Sequence, residues 1–141
     1  LNLSPELRFA RTAKNHPGWL LQVPTAPDTA RTAWEVTGAI LVETAETDGH
    51  LDLKAALSTL GGKGLTRILS EGGSTVAAAL IKTGLADELA LFSGGVLIGS
   101  EGHPALAALG LMALAPAPRP TPRAVPVLGA DTYSLWAMPG A

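Results

Sequence analysis

The residues best suited to chemistry lie in one short stretch, residues 70–75, with the sequence SEGGST. A predicted strand precedes this stretch and a predicted helix follows it. The start of a helix presents unpaired amides and about half a positive charge, which favours anions such as phosphate. Glycine lets a ligand approach the backbone closely, and the hydroxyls of Ser74 and Thr75 can cap the helix or donate to a phosphate oxygen. The stretch is neither GxGxxG nor a Walker loop. A strand-to-helix turn that needs glycine is therefore the other interpretation, and spacing alone favours it.

Glu71 is predicted to lie at the carboxyl end of a parallel strand, which is the edge where open α/β sheets bind ligands. Its carboxylate could hold ribose hydroxyls or a base edge. It could also be an exposed acid in a turn, or pair with the backbone amides that follow it. The three histidines are not at metal-ligand spacing, so we predict no metal site. No G-x-S-x-G motif is present, which argues against a serine hydrolase. No catalytic residue is assigned.

Hydrophobic patterning predicts strands and helices that alternate along the chain, as in a mostly parallel sheet with helices on both faces. A proline-rich connector at 116–126 is then followed by an antiparallel hairpin that turns near residues 129–131. Asp28 and Asp52 are predicted to cap helices, and Gly61, Gly62 and Gly84 to end them. The predicted strands cover residues 18–24, 38–44, 65–70, 87–93 and 95–99, and the predicted helices cover residues 28–36, 50–62 and 75–82.

Length and composition restrict the class of protein. The sequence has 141 residues, of which 47% are hydrophobic and 16% are charged, with a net charge of −2. These values predict one domain over residues 1–141 and make nucleic acid an unexpected partner. Cysteine is absent, which excludes disulfides and thiolate zinc sites. The sequence contains neither an apolar run of about 18 residues nor a signal-peptide pattern, so we expect no membrane partner and a cytoplasmic location.

Residues 50–92 resemble the reductase domain of the bacterial bifunctional riboflavin-biosynthesis deaminase–reductase. That family typically has a TR pair before EGG, a helix after it, and then a GL-DEL sequence. Here the corresponding segments are LTRILSEGG and GLADEL. The resemblance extends from about residue 51 to residue 99 and is weaker on either side. It implies a dihydrofolate-reductase-like three-layer fold, with the N-terminal part of that domain missing from this sequence.

The resemblance also implies a reaction, a cofactor and partners. The expected reaction is the NADPH-dependent reduction of 5-amino-6-(5-phosphoribosylamino)uracil to the ribityl product. Glu71 would contact this substrate. The expected partners are a second copy of the chain, in a homo-oligomer such as a dimer, and a deaminase domain or missing N-terminal segment of the same polypeptide. The residues implied to line the NADP site are Gly73, Ser74, Thr75, Val76, Ala77, Ala78 and Ala79.

The sequence departs from the family pattern at several points. Ser70 stands where the family usually has an aliphatic residue, and SGGVLIG stands where it has AP.LLG. The family's upstream strand and its phosphate-gripping arginines are not found in this sequence. Because a competent site needs its full set of positioning groups, we expect the 141 residues alone to have little or no activity. Two alternatives stay open: another NADPH reductase of this fold that acts on a different pyrimidine or pterin, and a nucleotide-binding or structural module without catalysis.

Overall fold

The computed structural model describes residues 3–140. Their contacts divide the chain into two compact units, one that ends at Ile68 and one that begins at Leu69. The prediction of a single domain over residues 1–141 stays a prediction. Within the described range, no helix is both long enough and apolar enough to cross a membrane.

The first unit combines short helices with two small sheets. Strands β1 and β2 are parallel, with Trp19 opposite Ile40 and Gln22 opposite Glu43. Strands β3 and β4 form an antiparallel hairpin. The elements of this unit are α1 (Arg8–Thr12), β1 (Trp19–Gln22), α2 (Asp28–Glu35), β2 (Ile40–Glu43), β3 (Glu46–Thr47), β4 (His50–Leu51) and α3 (Leu53–Gly62).

Trp34 is the centre of the core of the first unit. It is 1% exposed, and the Phe9 ring lies 6.0 Å from its ring, centroid to centroid. On β1, Leu20 and Gln22 are buried whereas Trp19 and Leu21 are half-buried. This alternation turns one face of the strand towards the core. The buried residues that pack together here are Ala10, Ala13, Leu20, Trp34 and Ala39.

One of the three predicted helix ends in the first unit is confirmed, and the other two differ from the prediction. Asp52 caps α3 as predicted, because its Oδ1 accepts the Ala55 N–H at 2.9 Å. Asp28 was expected to cap α2 but is its first helical residue. The cap is Pro27, whose carbonyl accepts the first helical N–H bonds. Gly61 and Gly62, the predicted stop of α3, are still helical; the chain leaves the helix at Gly64, which has φ +93°.

The second unit is a helix and an antiparallel sheet. The sheet has the order β5–β8–β6, and β7 also pairs with β8. The hairpin predicted near residues 129–131 is confirmed, since Val127 lies opposite Thr132 and Leu128 opposite Asp131. The helix α4 ends before Gly84 at φ +66°, as predicted. The elements of this unit are α4 (Ser74–Lys82), β5 (Glu88–Ser93), a 3₁₀ turn (Gly99–Glu101), β6 (Thr121–Ala124), β7 (Val127–Leu128) and β8 (Asp131–Ala137).

Two predicted strands are wrong. Residues 65–70 form no ladder and are exposed throughout, and the Leu65 N–H instead returns to the Leu60 carbonyl at 3.1 Å. Residues 95–99 are also without a ladder. The Gly95 N–H donates to Asp131 Oδ1 at 3.1 Å, and a Cβ at Gly95 would lie 2.5 Å from the Ala130 carbonyl oxygen. An apolar run becomes a strand only when a neighbouring strand supplies partners for its backbone.

The predicted single, mostly parallel sheet is not confirmed. Among the described strand pairs, β1–β2 is parallel and the others are antiparallel. Residues 65–70, which were predicted to be one strand of that sheet, form no strand. Both units contain helices as well as strands, as the predicted α/β class requires.

Candidate functional site

The start of α4 is the best-formed candidate site in the second unit. Gly73 is its N-cap, with φ −55° and ψ −179°, a backbone conformation open to any residue. The Gly73 carbonyl accepts the Ala77 N–H at 3.2 Å, which closes the first turn. No side chain of the described residues caps the helix. The N–H groups of the first turn are therefore free to bind a ligand or water.

The two glycines of the EGG motif have different surroundings. A Cβ at Gly72 would lie 3.1 Å from the Val76 Cβ, so this position is tightly packed against the first turn of α4. A Cβ at Gly73 would meet nothing within 4 Å. Neither glycine has a positive φ. A side chain at Gly72 would therefore have to displace Val76 by a few tenths of an ångström, whereas Gly73 leaves open space directly beside the free amides.

The residues predicted to line a cofactor site do not all reach the surface. Thr75 and Val76 are exposed and Ser74 is half-buried. Ala78, by contrast, is only 3% exposed, and Ala77 and Ala79 are half-buried. The surface that a ligand can contact is therefore formed by the first turn, and the alanines mainly support it from within. The hydroxyls of Ser74 and Thr75 make no hydrogen bond to another described residue.

One hydrogen bond at this site could not be predicted from the sequence. The backbone N–H of Ala107 donates to the carbonyl of Ser74 at 3.1 Å. The irregular segment around Ala107 is thereby fixed against the start of α4. Its sequence is rich in alanine and leucine and carries no motif, so only the structure brings it to this position.

Glu71 lies two residues before the N-cap of α4. Its side chain is exposed, and it forms no hydrogen bond or ion pair with the residues that the structure describes. Glu71 does not lie at the carboxyl end of a parallel strand as predicted, because residues 65–70 are not a strand. The structure shows an exposed carboxylate two residues before a helix start, and helix starts in general favour negative charge.

The other residues whose side chains could take part in catalysis or binding do not join this site. Lys82 is at the opposite end of α4, about 12 Å along the axis at 1.5 Å per residue. His16, His50 and His103 are exposed. Across residues 3–140 there is no group of three or more His, Cys, Asp or Glu side chains that could hold a metal ion.

The sequence matches a known family over most of its length. A family model described as the RibD C-terminal domain matches residues 3–120. The chain belongs to the RibD C-terminal domain family. This confirms the resemblance to the reductase domain of the riboflavin-biosynthesis deaminase–reductase. The matched range includes Glu71, the EGG motif and all of α4.

A curated relative supports the same family. The riboflavin biosynthesis protein RibD of Escherichia coli (strain K12) is 35% identical over 114 residues. These residues are 81% of this chain and 27% of the E. coli protein. The match thus spans about a quarter of the length of that relative.

Two solved structures are similar to this chain in fold. A RibD structure from Acinetobacter baumannii, form 2, has a TM-score of 0.77 at 19% identity and covers 97% of this chain and 35% of its own. A pyrimidine reductase-like protein from Corynebacterium diphtheriae has a TM-score of 0.70 at 18% identity, covering 85% of this chain and 49% of its own. At these identities the matches establish the α/β fold that the RibD C-terminal domain shares with them.

Proposed function

We propose that this chain is the NADP-binding side of a reductase in riboflavin biosynthesis, acting on 5-amino-6-(5-phosphoribosylamino)uracil. The observation that carries the proposal is the first turn of α4, where free amides lie beside the open space at Gly73. Membership of the RibD C-terminal domain family supports it. The proposal includes NADPH as the cofactor, this uracil derivative as the substrate and a cytoplasmic location.

The residues at this turn fit a phosphate-bearing cofactor. The helix start supplies unpaired N–H donors and partial positive charge. Gly73 supplies room for close approach, since a Cβ there would meet nothing within 4 Å. The hydroxyls of Ser74 and Thr75 are available as further donors. We infer that Gly73, Ser74, Thr75 and Val76 hold a phosphate group of NADPH, with Ala77, Ala78 and Ala79 forming the helix behind them. When bound, this cofactor supplies the hydride.

Glu71 is proposed to bind the substrate. Its carboxylate is exposed and not paired with any described residue, so it keeps its capacity to accept hydrogen bonds. A ribose hydroxyl or an N–H of a pyrimidine edge is the donor that such a group would take. The two residues between Glu71 and Ser74 are glycines, so no side chain stands between this carboxylate and the phosphate-binding turn.

The test is turnover in the natural full-length protein that contains this sequence. We expect NADPH oxidation that depends on the ribosylaminouracil phosphate and falls at least tenfold in Glu71→Ala. The matched control is Glu101→Ala, an exposed glutamate of the same unit, which is expected to keep the wild-type rate. Wild-type turnover by the Glu71→Ala variant would contradict the role of Glu71. The 141 residues alone are expected to turn over little or no substrate.

The two alternatives give different results in the same assay. An NADPH reductase for another pyrimidine or pterin would bind NADPH but leave this substrate unchanged. A nucleotide-binding module without catalysis would bind NADPH and oxidise it with neither kind of substrate. A purely structural module would not bind NADPH. Self-association as a homo-oligomer and a deaminase domain in the same polypeptide are also part of the proposal, and both are open to measurement on the full-length protein.

A further inference from the structure

Strand β6 lies at an edge of the sheet in the second unit. Among the described strands it pairs with β8 alone, and all four of its residues are exposed. An unpaired edge presents backbone N–H and C=O groups to which a strand of another chain can add. The residues that follow β6 increase this hazard, because Val125, Val127 and Leu128 are apolar and 58%, 72% and 51% exposed.

Two hydrogen bonds show which way the backbone groups of β8 point. On the side of β6 and β7, the Tyr133 N–H donates to the Pro126 carbonyl at 3.0 Å. On the side of β5, the Met138 N–H donates to the Asp87 carbonyl at 2.9 Å. Backbone groups of successive residues in a strand point to opposite sides. The odd-numbered residues of β8 therefore point towards β6, and the even-numbered residues, which include Trp136, point towards β5.

The direction of β8 determines the direction of Pro122 on β6. Pro122 lies opposite Trp136 in the ladder between the two strands. Because the backbone groups of Trp136 point towards β5, this pair is one of those in an antiparallel ladder that exchange no hydrogen bonds. The backbone nitrogen of Pro122 accordingly points away from β8, to the free edge. Proline has no N–H, so the edge lacks a donor at this position while β8 loses no bond.

The same spacing of prolines continues on the N-terminal side of β6. Pro118 and Pro120 precede Pro122 at intervals of two residues, and residues two apart in an extended chain point their backbone groups to the same side. A strand that approached this edge would therefore find no N–H donor at these three positions. Strand β6 has two further features of protected edges, which are an irregular register between Pro122 and Ala124 and the charged side chain of Arg123.

We propose that Pro118, Pro120 and Pro122 close this edge of the sheet to strand addition. The strand that they exclude is β6 of a second copy, which would otherwise continue the sheet from one molecule to the next. The proline-rich connector thus prevents edge-to-edge association in addition to linking two parts of the chain. This role does not rest on the proposed function, because it concerns backbone hydrogen bonding at β6 and requires neither cofactor nor substrate.

Pro120→Ala/Pro122→Ala in the natural full-length protein tests this role. The double variant restores two N–H donors. We expect it to associate about tenfold faster than wild type in light scattering, with a rise in the thioflavin T fluorescence that reports stacked strands. Pro104→Ala/Pro116→Ala is the matched control, because both prolines are exposed and lie outside the strands, and it is expected to behave like wild type.

Far-UV circular dichroism verifies that both double variants are folded. A folded Pro120→Ala/Pro122→Ala variant that associates no faster than wild type overturns the proposal. Equal acceleration in the two double variants also overturns it, because loss of any two prolines would then have the same effect.

Amide hydrogen exchange tests the backbone direction without relying on association. Pro122→Ala creates an N–H at position 122, which we expect to exchange in dilute protein at about the rate of an unstructured chain. The Thr121 N–H points towards β8, since Thr121 lies opposite Ala137, and is expected to exchange about tenfold more slowly or slower still. Equal protection of the two amides would show that position 122 points into the sheet, and would overturn the proposal.

Discussion

Gly73→Asp separates the stability of α4 from its proposed ability to bind NADPH. A Cβ at this position meets nothing within 4 Å, and the backbone at φ −55° is open to any residue. Aspartate is also a better N-cap than glycine by a few tenths of a kcal/mol. The variant is therefore expected to fold, with a stability equal to or slightly above that of wild type. The same carboxylate, however, takes the position that a phosphate of the cofactor would occupy.

The expected loss of affinity follows from Coulomb's law. Two unit charges about 5 Å apart repel by ~3 kcal/mol at an effective dielectric constant of ~20 and by ~0.8 kcal/mol in bulk water. Gly73 is exposed, so we take a value of about 1–2 kcal/mol. This corresponds to a rise of about 5- to 30-fold in the Kd for NADPH. Isothermal titration calorimetry measures the Kd, and urea unfolding measures the stability.

Gly73→Asn is the control for charge. Asparagine has nearly the same size as aspartate and also caps helices, but it is neutral. We expect it to weaken binding less than Gly73→Asp, and the difference between the two variants to shrink at high salt. Unchanged affinity in Gly73→Asp would refute a phosphate site at this turn. Equal losses in the two variants would show that no charged group of the cofactor lies beside Gly73.

Five further variants test how individual residues stabilise the fold. Gly73→Ala is expected to change the free energy of unfolding by less than about 1 kcal/mol in urea, because alanine restricts the unfolded state but is a poorer N-cap than glycine. Gly72→Ala is expected to be clearly less stable than Gly73→Ala, because its Cβ would lie 3.1 Å from the Val76 Cβ. Gly95→Ala is expected to lower the free energy of unfolding by about 1–3 kcal/mol, because its Cβ would crowd the Ala130 carbonyl oxygen. A urea-unfolding midpoint equal to that of wild type would contradict this. Trp34→Ala is expected to lower the free energy of unfolding by about 3–5 kcal/mol, because it removes the largest buried side chain of the first unit's core. A loss as small as that of a surface substitution would contradict this. The backbone hydrogen bond from the α3 start holds the pKa of Asp52 below its ordinary value of 3.8. The ionised Asp52 carboxylate therefore contributes to stability at pH values above 3.8, and this contribution is lost as the pH falls through the lowered pKa. Asp52→Asn should reduce the pH dependence of the thermal midpoint in this acid range.

Some parts of the fold could be predicted from local sequence because local interactions determine them. Asp52 caps α3 through a bond to an amide three residues ahead. The hairpin of β7 and β8 closes around Gly129 at φ +68°. A further signal of this kind was missed: Asp48 and Gly49 both have positive φ and join β3 to β4, which is the typical turn of a two-residue hairpin.

The errors concern interactions between distant parts of the chain. Residues 65–70 have the apolar, β-branched pattern of a strand, yet a strand requires partners that the pattern does not specify. Gly72 and Gly73 are adjacent and identical in type, and only the position of Val76 shows that one is packed and the other open. The same limit applies to the contact between Ala107 and Ser74, since no local rule places a residue 33 positions away in the sequence beside a helix start.

Backbone amide chemical shifts during an NADPH titration test the central claim most directly. The claim is that the first turn of α4 binds a phosphate of the cofactor through its free N–H groups. A ¹⁵N-labelled chain should show its largest shift changes at the amides of Gly73, Ser74, Thr75 and Val76. The NADPH-induced changes there should diminish in Gly73→Asp at the same NADPH concentration. Saturable binding that leaves these four amides unchanged, or an absence of any shift at millimolar NADPH, would contradict the account.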